Sequence, residues 1–130
     1  MGVQRKGLSE LNSEKYESGI YKITQEQMNK FGEVTAGDGK IHTDPEFAKN
    51  TRFKKTLVQG VYLLAIVEKE LDAFFQKWGQ KGVLEATFLK PITVDEEFRV
   101  CIEQANVEND YKVSVVNSKG EEAVAIKCTC

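Results

Sequence analysis

Hydrophobic positions divide the chain into a polar start, two short helical patterns, one long apolar helix and a run of strands. Residues 1–17 are polar and aperiodic, which predicts a loosely held arm ahead of one domain spanning 18–130. Gly19–Ile23 alternates as a short strand. Thr24-Gln-Glu-Gln27 has capping-box spacing, with Ile23 and Met28 placed as a hydrophobic staple around it. A helix over 25–34 follows, with Met28, Phe31 and Val34 on its inward face. Ala36-Gly-Asp-Gly39 stops it, because two glycines free the backbone for positive φ. Asp44-Pro45 then reads as an N-cap with proline at the first helical position, opening a two-turn helix that ends near Asn50.

From Gly60 to Val67 every position but Gly60 itself is apolar, and the pattern then narrows to Leu71, Phe74, Phe75 and Trp78. A helix apolar all round is buried all round. In a chain of 130 residues, that predicts a central helix wrapped by a sheet and ended by Gly79 and Gly82. Strand patterns follow over 83–89, 97–106, 111–116 and 122–130, with Asn117–Gly120 as the hairpin signal between the last two. The fold class is α+β, a curved antiparallel sheet around one long helix. No repeat or second domain interrupts it.

Composition changes this picture little. Forty-one per cent hydrophobic and 29% charged residues are ordinary for a globular domain. A net charge of −2 gives no footprint for nucleic acid. No run reaches membrane-spanning length, and the first residues lack the apolar core of a signal peptide, so a soluble cytoplasmic protein is expected. The three cysteines fit reduced thiols. Cys128 and Cys130 continue the alternation of Val124 and Ile126 and belong to one buried strand face.

The candidate chemistry lies in residues 31–48. His42 is the only histidine, and therefore the only imidazole available for acid–base work near neutral pH. Asp38 and Asp44 flank it. Asp44 reads first as a helix cap. Asp38 reads either as a reactive carboxylate or as a turn aspartate between glycines, and His42 either as a proton carrier or as a hydrogen-bonded residue ahead of the Asp44 helix. Gly60, eighteen positions after His42, opens the long helix and reads either as an unpaired amide at its positive end or as a simple helix-start or close-packing glycine. Tyr62, Leu63 and Val67 are candidates for an apolar pocket or for core. Arg52, Lys54 and Lys55 form a basic loop, either solvated or facing phosphate.

Several pieces together resemble the MaoC-like dehydratases, the group that includes the (R)-specific enoyl-CoA hydratases. They are Phe31…Thr35, Ile41-His-Thr-Asp-Pro-Glu-Phe-Ala48, Thr51-Arg-Phe53, Leu57-Val-Gln-Gly60 and Phe88-Leu-Lys-Pro91, and the likeness covers about residues 20–105. The resemblance implies a hot-dog fold, a homodimer with sheets joined edge to edge, and an acyl-thioester substrate carried on CoA or an acyl-carrier protein. It implies no cofactor, metal, nucleic acid or membrane. By the match His42 takes the catalytic histidine's role, the Gly60 amide polarises the thioester carbonyl, and Asp38 is the nearest carboxylate for the aspartate's role. Tyr62 and Leu63 would line the acyl pocket, with Arg52 and Lys54 at its mouth.

The pattern also departs from the family's. Gly37 falls where the family has its aspartate, and Asp38 comes one position later. Gln59 replaces the histidine before the helix glycine, and Asp95 the glycine after Phe-x-x-Pro. The reaction implied is hydration of a trans-2-enoyl thioester or its reverse. Two alternatives stay open: an acyl-CoA thioesterase on the same scaffold, and a non-catalytic acyl-thioester-binding or partner subunit.

Overall fold

A computed structural model of the chain describes residues 15–37, 39–75, 78–105 and 109–129. The elements run β1 (Lys15–Glu17), β2 (Tyr21–Lys22), α1 (Gln25–Thr35), α2 (Lys40–Thr43), α3 (Pro45–Lys49), α4 (Gly60–Phe74), α5 (Trp78–Lys81), β3 (Val83–Phe88), β4 (Glu97–Gln104), β5 (Asp110–Val116) and β6 (Glu122–Thr129). All pairings are antiparallel. The sheet order is β1-β4-β5-β6-β3, with β2 also paired to β4. The predicted α+β class is found: one antiparallel sheet with a long helix packed on it, the hot-dog arrangement.

The core is built where helical and strand periodicity meet. Leu63, Ile66, Val67, Leu71 and Phe74 of α4 share one cluster with Phe98, Val100 and Ile102 of β4, Val113 and Val115 of β5, and Val124, Ile126 and Cys128 of β6. Each such side chain, fully buried, contributes roughly 1.5–3 kcal/mol. Phe75 seals the helix's far end, with ring centroids 4.9 Å from both Phe74 and Tyr111. The face predicted for Val124, Ile126 and Cys128 is buried as expected; Cys130 lies outside the described residues.

Local signals produce the local structure they encode. The Thr24 hydroxyl accepts from the Gln27 amide at 3.1 Å, and the Gln27 side chain accepts from the Thr24 amide at 2.8 Å. The staple residues Ile23 and Met28 are both buried. Asp44 caps α3 by accepting from the amides of Glu46 and Phe47. Gly120 takes φ 79° at the tip of the β5–β6 hairpin.

Four expectations need correction. The polar arm stops short of residue 17, because Lys15–Glu17 pair with Cys101–Glu103 of β4. Val34 does not face inward but is 74% exposed at the end of α1. The long helix ends at Phe74, where Phe75 turns extended, and Trp78 opens the separate one-turn α5 that contains Gly79. Nor is α4 buried all round: Val61 is 65% exposed and Ala65 is also open, so one face of its first two turns has no cover among the described residues.

Candidate active site

His42 sits on α2, a single turn that starts after Gly39 and ends where Asp44 begins to cap α3. Its half-buried ring places Nδ1 2.9 Å from the Leu57 carbonyl oxygen. A carbonyl only accepts, so Nδ1 carries the proton in the neutral ring and Nε2 is left with its lone pair. Among the described residues nothing donates to Nε2. The backbone is clipped at the same point, since the Leu57 amide donates to the Ile41 carbonyl at 2.9 Å. Leu57 in turn forms an isolated antiparallel bridge with Thr93, which fixes the segment to the connection between β3 and β4.

Gly60 comes three positions after Leu57, so the start of α4 lies within about 11 Å of the carbonyl that holds the imidazole. Gln59 is the N-cap of α4, yet its side chain caps nothing there. Its amide nitrogen instead donates to the Gly37 carbonyl. The Gln59 carbonyl serves the amides of Tyr62 and Leu63. The Gly60 amide therefore has no acceptor among the described residues and stands at the positive end of a 15-residue helix. A Cβ on Gly60 would come within 2.7 Å of the Phe88 ring, so any larger residue there has to displace that ring.

The loop between α1 and α2 is tethered from both sides. The Gly37 amide donates to the Thr35 hydroxyl at 3.3 Å, that hydroxyl donates to the Phe31 carbonyl at 2.7 Å, and Gln59 holds the Gly37 carbonyl. A Cβ at Gly37 would meet both polar atoms of the Gln59 amide at 2.9 Å. Asp38, the next residue, lies outside the described residues. Asp44 is committed to its cap.

The other predicted site residues separate. Tyr62 lies on the uncovered face of α4, its ring centroid 4.7 Å from that of Phe31. Together with Val34 and Ala65 these rings line an open cleft of about 740 Å³ between α1 and α4, rimmed by Glu26, Gln27 and Lys30. Leu63 is not part of it: only 3% exposed, it points into the core. Arg52 is exposed and stacks over Phe53, 4.8 Å from the ring centroid. Lys54 is exposed at the turn that follows, with φ 67°. Sequence reasoning missed α2, the Leu57 carbonyl, Gln59's reach to Gly37 and the Phe88 ring on Gly60. Only the last left a trace, in the Phe-x-x-Pro segment.

Among the described residues no helix is long and apolar enough to cross a membrane. The chain is 29% identical over 92 residues to the 3-hydroxyacyl-thioester dehydratase Z of Mycobacterium tuberculosis; the match takes in 67% of this chain and 61% of that relative's length. The structure superposes on the (R)-hydratase from A. caviae involved in PHA biosynthesis with a TM-score of 0.74 at 20% identity, over 88% of this chain and 90% of that one. The R-hydratase PhaJ1 from Pseudomonas aeruginosa gives a TM-score of 0.74 at 18% identity, over 88% and 76%. A family model described as MaoC like domain matches residues 10–125, nine-tenths of the sequence, and the chain therefore belongs to that family.

Proposed function

We propose that the chain is an enoyl-thioester hydratase, working as a 3-hydroxyacyl-thioester dehydratase in the reverse direction and producing the (R)-hydroxy product. The observation that carries this reading is the pinned imidazole. With Nδ1–H given to Leu57, Nε2 is a ready proton acceptor a short way from an uncapped helix start. In hydration, Nε2 and the Asp38 carboxylate orient a water and take its proton as the water oxygen bonds to C3. The C2–C3 π electrons move toward the thioester, the Gly60 amide stabilises the charge gathering on its oxygen, and the proton is returned to C2. Both new bonds form on the face that carries the two groups. Removing one such oxyanion donor typically costs about 10²–10³ in rate.

The substrate is an acyl chain on CoA or an acyl-carrier protein, and the cleft beside Tyr62 and Phe31 is the place for its apolar part. Exposed Arg52 and Lys54 are the cations for the carrier's phosphates. The working form is a homodimer. Among the described residues β3 has a neighbour on one side only, Val83 and Phe88 are exposed along it and Leu89 just beyond it, and the open face of α4 needs cover. The test is crotonyl-CoA followed by enone absorbance, run beside a thiol-release assay. Loss of the enone without free thiol, abolished by His42→Ala, supports the hydratase. Thiol release would make the chain a thioesterase, and binding without turnover would make it a non-catalytic subunit.

A further inference from the structure

Behind His42 runs a polar relay that the reaction itself does not use. Gln25, the first residue of α1, donates from its side-chain nitrogen to the His42 carbonyl at 2.9 Å and to Asn29 Oδ1 at 2.9 Å. Its side-chain oxygen accepts from the Thr56 hydroxyl at 2.5 Å. Both donors and the acceptor of the amide are therefore engaged, and its orientation is fixed by chemistry. Thr56 is 4% exposed, and its carbonyl accepts from the Val94 amide at 2.9 Å. The next residue, Leu57, is the one that holds the imidazole and the Ile41 carbonyl.

One turn of helix has no stability of its own, and its last carbonyls lack partners. α2 has no side-chain N-cap either. What fixes it is the clamp: Leu57 holds the ring of His42 from one side, and Gln25 holds its carbonyl from the other. The two arms meet at Thr56–Leu57, and Gln25 is itself set by the capping box of α1.

We infer that Gln25 and Thr56 are positioning residues for His42, which hold the backbone of α2 so that the ring stays in the Nδ1–H tautomer with Nε2 free. The inference rests on reading His42 as the acid–base group, but its test does not depend on turnover. Because His42 is the only histidine, nitrogen-15 spectra of the imidazole report this residue alone. The wild-type chain shows the Nδ1–H tautomer. Gln25→Ala and Gln25→Glu both lose the donor to the His42 carbonyl and give a mixture of tautomers. Their kcat for crotonyl-CoA falls about 10- to 100-fold, the scale of a 1 Å misplacement, with KM changed less than about twofold. Thr56→Val behaves likewise, and Thr56→Ser, which keeps the hydroxyl, restores both readouts. Wild-type tautomer and kcat in Gln25→Ala, or in Thr56→Val should the first fail to fold, overturn the inference. A tautomer mixture in the variants of a chain that hydrates nothing supports the clamp and removes the reaction instead.

Discussion

The Phe88 ring occupies the space that a side chain on Gly60 would need, with Cε1 2.7 Å and Cζ 2.9 Å from the position of a Cβ. The last residue of β3 thus closes over the first residue of α4. Phe88 is 53% exposed, so the ring has room to swing outward without disturbing the core. Gly60→Ala should therefore fold, while the displaced ring lets water reach the amide proposed to face the thioester oxygen. The expected loss in kcat/KM is at least about tenfold, within the range for a weakened oxyanion donor. Adding Phe88→Ala removes the collision, and the double variant should be no worse than Phe88→Ala alone. Strictly additive losses in that cycle would show that the ring and the glycine act separately.

What the sequence made legible here was local. The capping box of Thr24 and Gln27, the Asp44-Pro45 helix start and the Asn117–Gly120 hairpin each need only residues a few positions apart, and each formed. Asp95, which stands where the resemblance expects glycine, holds φ 68°, a backbone shape that glycine adopts more readily. The site was legible only in part. His42 stood out as the one imidazole and Gly60 as a candidate through the resemblance, but the Leu57 carbonyl has no side-chain signature, and Gln25 meets Thr56 across 31 positions. The all-apolar start of α4 gave the opposite error. Its pattern says that every face wants cover, and the described residues cover only part of it.

Gln59 offers a second test. Its side chain joins the start of α4 to Gly37, across 22 positions, and leaves its own helix uncapped. Gln59→Leu removes the donor to a carbonyl on a tethered loop, which should cost about 1 kcal/mol in denaturant unfolding. Gln59→Glu should cost more, because a carboxylate then faces that carbonyl across the Gly37 backbone. If both variants unfold at the wild-type denaturant midpoint, the tether is incidental to the fold.

The edge strand carries the third. Val83 is exposed on β3, whose outer side has no strand beside it among the described residues. A lysine on such an edge disfavours pairing with another copy. Light scattering of the wild-type chain should give twice the chain mass, and Val83→Lys should move it toward the single mass at micromolar concentration. A wild-type chain that runs at 14.6 kDa would remove the homodimer.

Glu96 ties the β3–β4 connection to the hairpin tip, and it makes stability depend on acid. One carboxylate oxygen accepts from the Thr93 amide and hydroxyl at 3.0 and 3.1 Å, the other from the Ser118 amide and hydroxyl at 3.2 and 2.7 Å. Partial burial pushes the carboxyl up, but these four donors outweigh it and hold it below its ordinary value of 4.5. A carboxyl with a lower value in the folded chain than in the unfolded one stabilises the fold above the unfolded value. That contribution is lost as pH falls through the folded value. Wild-type chain and Glu96→Gln should therefore differ by about 1 kcal/mol at pH 7, a figure kept small because the group is partly solvated. The gap should close as pH drops from about 5 to below 4, as the free carboxyl protonates. Urea midpoints of both chains at pH 7, 5 and 3.5 would show it, and a gap that stays constant across the series would mean that the four hydrogen bonds do not depend on the charge.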